Sequence, residues 1–189
     1  MAETDARIEP ATADDVDAVT DMWVALAASQ REHGATLRAE ANRAAVREWV
    51  AQSVVTGELI VGRDTEAASK PDGSGVVGFV GFSLERGDYE RDAVRGTVSN
   101  LYVAPERRGE GIGAALLDAA ERALAEAGAD RVGLEALADN DRARGFYADH
   151  GYDLHRVELT KSLGSEGDGE DDDVTDADDE DAEGTAESD

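Results

Sequence analysis

The sequence predicts an α/β domain with six strands and four helices around one core. Three observations carry this. Short β-type runs recur at residues 59–62, 76–83, 97–103 and 131–136. Longer stretches between them repeat apolar residues at helical spacing. One strand-like run meets one helix-like run through a basic, glycine-rich turn, Pro105-Glu-Arg-Arg-Gly-Glu-Gly-Ile-Gly113.

Taken in order, residues 6–10 read as a first strand ended by Pro10. Thr12-Ala-Asp-Asp15 is a capping-box-like start. Val16, Val19, Trp23, Leu26 and Gln30 then follow at helical spacing, predicting a helix over residues 13–32 that Gly34 breaks. Leu37, Ala41, Ala45 and Trp49 form the stripe of a second helix over residues 38–53. The strand at 59–62 leads into a polar hairpin loop over residues 64–75, with Lys-Pro-Asp-Gly-Ser-Gly turn chemistry. Residues 76–83 are apolar on both faces, as in a central strand, and Gly78 and Gly81 mark close backbone approach or a bulge. A charged connection, residues 85–95, precedes the fourth strand. Ile112, Ala115, Leu116, Ala119, Ala123, Leu124 and Ala127 make the apolar stripe of a third helix, ended by Gly128. After the fifth strand, Asp139 or Asn140 caps a fourth helix that stops at Gly151. Residues 152–161 read as a last strand.

Composition sets the class. The net charge is −26; 14 acids and no base fall within residues 164–189, which leaves −12 on the rest of the 189-residue chain. That terminal segment has almost no large apolar residue, so it is expected to be a disordered acidic tail behind a domain of residues 5–163. Lys70 and Lys161 are the only lysines. An acidic, Lys-poor surface stays solvated where salt screens its self-repulsion, so the acidity reads as adaptation to a salty cytoplasm. It argues against nucleic acid and anionic membrane as partners. Without cysteine there is no disulfide, thiol nucleophile or cysteine zinc site. The first residues are acidic rather than basic and no apolar run approaches membrane-spanning length, so the expected location is cytoplasmic.

The glycine-rich turn is the chemical centre. Gly109, Gly111 and Gly113 let backbone approach a ligand, and the helix that follows offers unpaired amides and the positive end of its dipole. Arg107 and Arg108 add donors suited to phosphate. The turn therefore reads as a pyrophosphate cradle. A P-loop is excluded because its Lys is missing. A dinucleotide fingerprint is nominally met by Gly109, Gly111 and Ala114, with Glu135 roughly 20 residues on. However, Pro105-Glu-Arg-Arg108 separates these glycines from the strand, and little sheet remains after them.

Arg108-x-x-Gly111-x-Gly113, placed after Leu-Tyr-Val-x-Pro and opening an amphipathic helix, resembles the GNAT family of acetyl-CoA-dependent N-acetyltransferases. Asn140-Asp-Arg-Ala143-Arg-Gly-Phe146-Tyr147-Ala-Asp-His-Gly151-Tyr152 resembles that family's second motif. The resemblance implies a mixed, mostly antiparallel sheet whose fourth and fifth strands splay apart to admit the acyl-pantetheine arm. It implies acetyl-CoA as cosubstrate, no metal, and direct transfer to a primary amine. Arg108, Gly109, Gly111, Ile112, Gly113 and Ala114 would hold the pyrophosphate. Backbone of Leu101 and Val103 would pair with the arm, the Val103 amide polarising the thioester carbonyl. Asn140 would bond the arm or simply cap its helix. Tyr147 would be the general acid for the departing sulfur.

The base is less clear by the same comparison. Many relatives carry an acid before the Leu-Tyr-Val run, where this chain has Asn100. Glu135 is the remaining acid near the gap, with Ser99 as a relay through water. Trp23, Trp49 and His33 either line the acceptor pocket or, for the tryptophans, anchor the core. Arg142 and Arg144 either meet the 3′-phosphate or solvate a helix. Dimers are common in the family, but no stretch here specifies one. The acceptor, a small-molecule or peptide amine, is not legible. An acetyl-CoA sensor without turnover and a dinucleotide enzyme stand as alternatives.

Overall fold

Five strands lie side by side in sequence order: β1 (Ala6–Pro10), β2 (Leu59–Asp64), β3 (Val76–Leu84), β4 (Arg95–Val103) and β5 (Arg131–Leu134). The first four run antiparallel. The β4–β5 pair is parallel, which requires the crossover that α3 (Ile112–Glu126) provides. This computed structural model describes residues 5–64, 75–85, 92–161 and 163. Most of the predicted hairpin loop, residues 86–91 of the charged connection, and the acidic segment from residue 164 lie outside the described residues. By its contacts the chain divides into Met1–Asp153 and Leu154–Asp189. All five strands and four helices belong to the first unit.

Helices cover both faces of the sheet. Leu116, Leu117, Ala120 and Leu124 of α3 pack with Val80, Phe82 and Val98 on one face. Val16 and Val19 of α1 (Val16–Gln30) and Val46 and Val50 of α2 (Arg43–Thr56) pack with Val61, Phe79 and Tyr102 on the other. α1 starts as expected: Thr12 N–H and Oγ1 donate to Asp15 Oδ2 at 2.8 and 2.9 Å. Asp15 is only 1% exposed, and its other oxygen accepts from Arg63 Nη2 at 2.8 Å. Arg63 also binds Glu9 at 2.7 Å and holds that carboxyl below its ordinary value. The cap is thereby tied to β1 and β2, and the buried charge is paired.

Three expectations need correction. The second helix buries Val46, Val50 and Ser53, whereas Leu37, Ala41 and Ala45 are exposed. Its apolar stripe is therefore rotated by one residue around the helix, with Trp49 at its edge. The third helix buries Leu117 and Ala120, and Ala127 is exposed. No strand forms over residues 152–161, where Leu154, Val157 and Leu159 are 81%, 69% and 90% exposed. The apolar period slips by one residue between Leu154 and Val157, so the run never presents one continuous face.

The glycines of β3 are where chains touch. A Cβ on Gly78 would lie 2.7 Å from the Tyr102 carbonyl oxygen, and one on Gly81 would lie 2.9 Å from the Trp49 ring. The first obstacle is backbone and cannot rotate away. Gly78→Ala is expected to lower unfolding free energy by about 2 kcal/mol, read by urea denaturation. Unchanged stability would mean that β4 moves freely against β3.

Candidate active site

β4 and β5 pair only from Arg95↔Arg131 to Val98↔Leu134. β5 then ends, while β4 runs on to Val103. At the parting, a bulge leaves Ser99 unpaired, because Gly81 faces Asn100 and Phe82 faces Val98. Beyond the bulge, Ala104 N–H donates to Val77 O at 2.9 Å. Alternation then turns the peptide groups of Leu101 and Val103 away from β3 and toward the gap. The expected strand-like binding edge is thus exposed.

The gap opens into a small cleft with a volume of about 100 Å³. Ser99, Asn100 and Leu101 form its β4 wall, and Glu135 and Ala136 form the opposite one. Asn140, Ala143 and Tyr147 reach it from α4 (Asp141–Asp149). Leu26 and Gln30 close it from α1. These two end the stripe that Val16 begins; Trp23 and Trp49 pack against the core instead, and the cleft lining does not include His33. Gln30 is the polar end of that stripe, and its spacing alone gave no sign of a place in the cleft.

Tyr147 brings a phenol into this cleft. Its ring stands edge-on to Phe146 and Tyr152, with centroids 5.2 and 5.7 Å away. Burial raises its pKa above the ordinary phenol value, which keeps the proton in place at neutral pH. Glu135 is exposed on the facing wall. Asn140 caps α4, its Oδ1 accepting from Ala143 N–H at 3.0 Å, and it also lines the cleft. Both readings of Asn140 can hold together, since capping uses only the carbonyl oxygen.

The turn lies at the far end of β4. Gly109 and Gly111 have φ of +86° and +79°, and a Cβ on Gly109 would meet nothing within 4 Å. The requirement there is conformational, and the space above is open. Gly111 is the N-cap of α3, and the first intrahelical bond is Ala115 N–H to Gly111 O at 3.0 Å. The amides of Ile112, Gly113 and Ala114 precede that bond and so have no carbonyl within the helix. The Ile112 side chain is core, so only its amide is available at the turn. Such an open, amide-lined helix start fits a diphosphate.

The two arginines of the turn differ. Arg107 is held by Asp64 and by Glu110, the latter at 2.8 Å. That corrects its reading as a phosphate donor: it braces the turn to β2. Arg108 donates Nε to Val103 O at 2.9 Å and lies 5.6 Å from the Tyr102 ring centroid, with its terminal nitrogens still to offer. Arg144 bonds Ala138 O at 3.1 Å and pairs with Asp141 at 3.4 Å on the α4 surface.

The two sequence motifs meet physically. A Cβ on Gly113 would lie 3.7 Å from both the Phe146 ring and Val103 Cγ2. The start of α3, the end of β4 and the middle of α4 therefore meet at Gly113. No cluster of metal-ligating side chains occurs among the described residues.

A family model described as "Acetyltransferase (GNAT) family" matches residues 31–152. No curated protein matches the chain. Among solved structures, a GCN5-related N-acetyltransferase from Ralstonia eutropha JMP134 is 24% identical with a TM-score of 0.62, covering 84% of this chain and 99% of that one. A transcriptional regulator from Bacillus halodurans C-125 is 19% identical with a TM-score of 0.63, covering 84% and 99%. An integron cassette protein from the mobile metagenome of V. cholerae is 16% identical with a TM-score of 0.59, covering 87% and 96%. Their likeness to this chain is one of fold.

Proposed function

The chain belongs to the acetyltransferase (GNAT) family, and from that premise we propose that it transfers an acetyl group from acetyl-CoA directly to a primary amine within a ternary complex. The observation that carries the proposal is the parted strand pair, whose cleft is lined by both a phenol and a carboxylate. Acetyl-CoA, a cosubstrate of this family, supplies the acyl group as a thioester. The amides of residues 111–114 and the Arg108 guanidinium hold its diphosphate. Peptide groups of Leu101 and Val103, with the Asn140 amide nitrogen, align the pantetheine arm along β4. The Val103 N–H polarises the acyl carbonyl. Glu135 takes the amine proton, directly or through water at Ser99, and Tyr147 gives its proton to the sulfur. Holding both reactants in line supplies much of the rate.

Thiol release measured across an amine panel, beside calorimetry with acetyl-CoA, CoA and NAD, tests this reading. CoA binding with amine-dependent release supports transfer; binding without release would make the chain a sensor. A dinucleotide role is disfavoured by the sheet, where the one parallel pair stands beside an antiparallel meander.

The acidity is read as adaptation to a salty cytoplasm, with the tail as a solubilising appendage and residues 5–163 as the catalytic domain. Removing residues after Leu163 is expected to leave CoA affinity unchanged within about twofold, because the tail carries charge but no described site. A large loss by calorimetry would refute that role. No described helix is long and apolar enough to cross a membrane.

A further inference from the structure

The phenol of Tyr147 makes no hydrogen bond to a described residue, so its aim in the cleft depends on what packs against the ring. Phe146 is its chain neighbour. The other ring is Tyr152, which is fixed at two points. Tyr152 N–H donates to Tyr147 O at 3.0 Å. Its hydroxyl donates to Glu121 Oε1 at 2.7 Å. Glu121 belongs to α3, the helix whose first turn is the phosphate cradle, nine residues before it. A helix keeps that offset, about 14 Å, as a rigid spacer.

We propose that Tyr152, anchored by Glu121, is a positioning residue that registers the Tyr147 hydroxyl against the phosphate-binding turn. The proposal rests on Tyr147 being the acid. The coenzyme has phosphates at one end and sulfur at the other. The proton donor must therefore sit at a set distance from the cradle; the Phe146 ring beside Gly113 gives α4 one point of contact there, and a second is needed to fix its direction. The Tyr152–Glu121 bond ties the C-terminal end of α4 to the middle of α3. Tyr152 contributes a rigid ring with two torsions, so little freedom is left in the link. A phenol donating to a carboxylate is a charge-assisted bond, stronger than a neutral one.

The test uses the full chain with acetyl-CoA and whichever of spermidine, glycinamide or an alanine-initiated peptide gives fastest thiol release, water being the acceptor if none does. Tyr152→Phe removes one hydroxyl and keeps the ring. It is expected to lower kcat about tenfold with KM for acetyl-CoA and calorimetric Kd for CoA within about twofold, since the ligand contacts are untouched. Glu121→Leu should match it, while Glu121→Gln, whose amide oxygen still accepts, should recover most of the loss. A second readout needs no turnover. In unloaded protein carrying 13Cζ-tyrosine, the Tyr147 signal, assigned by Tyr147→Phe, should titrate at lower pH in Tyr152→Phe as water reaches the loosened ring.

In a Tyr147→Phe background, Tyr152→Phe should cost nothing further. An equal loss in both backgrounds would overturn the brace while leaving Tyr147 as the acid. A Tyr152→Phe protein with unchanged kcat and an unmoved Tyr147 signal would overturn it too. Full activity in Tyr147→Phe alone would remove the acid assignment, and the brace with it.

Discussion

Replacing Tyr147 with phenylalanine is expected to lower kcat about 100-fold, at the low end for loss of a general acid, while leaving Kd for CoA within about twofold. The phenol lies in the cleft against two other rings, and the change removes one oxygen without creating a cavity. The expected loss is therefore chemical rather than structural, and the melting temperature should hardly move. Burial raises the Tyr147 pKa above 10.0. A group of raised pKa donates its proton throughout the neutral range and loses that capacity only above the ordinary tyrosine value. The wild-type kcat should thus show no alkaline fall attributable to this group below about pH 10. If Tyr147→Phe retained full turnover, the sulfur would be protonated by another donor or by water.

The second large effect is expected at Gly111. Its φ of +79° is one that a β-branched side chain resists, and it caps the helix whose amides face the ligand. Gly111→Val should impose about 1–3 kcal/mol of strain, relieved only by turning those amides away. Calorimetry should show CoA affinity lowered by about 100-fold, the value of one or two misdirected hydrogen bonds to a charged group. Gly113→Ala is the contrast. Its Cβ would meet Phe146 and Val103 at 3.7 Å, an ordinary contact, inside a helix. A loss of about threefold or less is expected there, since the backbone needs no change. Equal losses at both positions would mean that the turn acts through bulk rather than amide direction.

The fold was legible where local pattern and packing agreed. The capping box at Thr12, the helix break at Gly34 and the close approaches at Gly78 and Gly81 follow from residues readable in the chain; the parting of β4 from β5 was expected only from the family resemblance. Other features were set by tertiary partners. Nothing local says that Asp15 is buried, because Arg63 lies 48 positions away. Nor does spacing say that Arg107 is spent on Asp64. At the site, the glycine turn and Tyr147 were legible because each needs a particular residue at a particular offset. The acceptor side was not, because Leu26 and Gln30 serve by position along a helix rather than by motif.

The unpaired Ser99 has a consequence for counting along β4. Glu85 N–H bonds Arg95 O, so Gly96 and Val98 turn their peptide groups toward β5. Leu101 and Val103 turn theirs the same way. In an uninterrupted strand, residues sharing an edge differ by even numbers, yet from Val98 to Leu101 the step is odd. One supernumerary residue resets the parity, so a single strand holds its neighbour over one half and turns peptide groups to that same side over the other, where Arg108 meets the Val103 carbonyl.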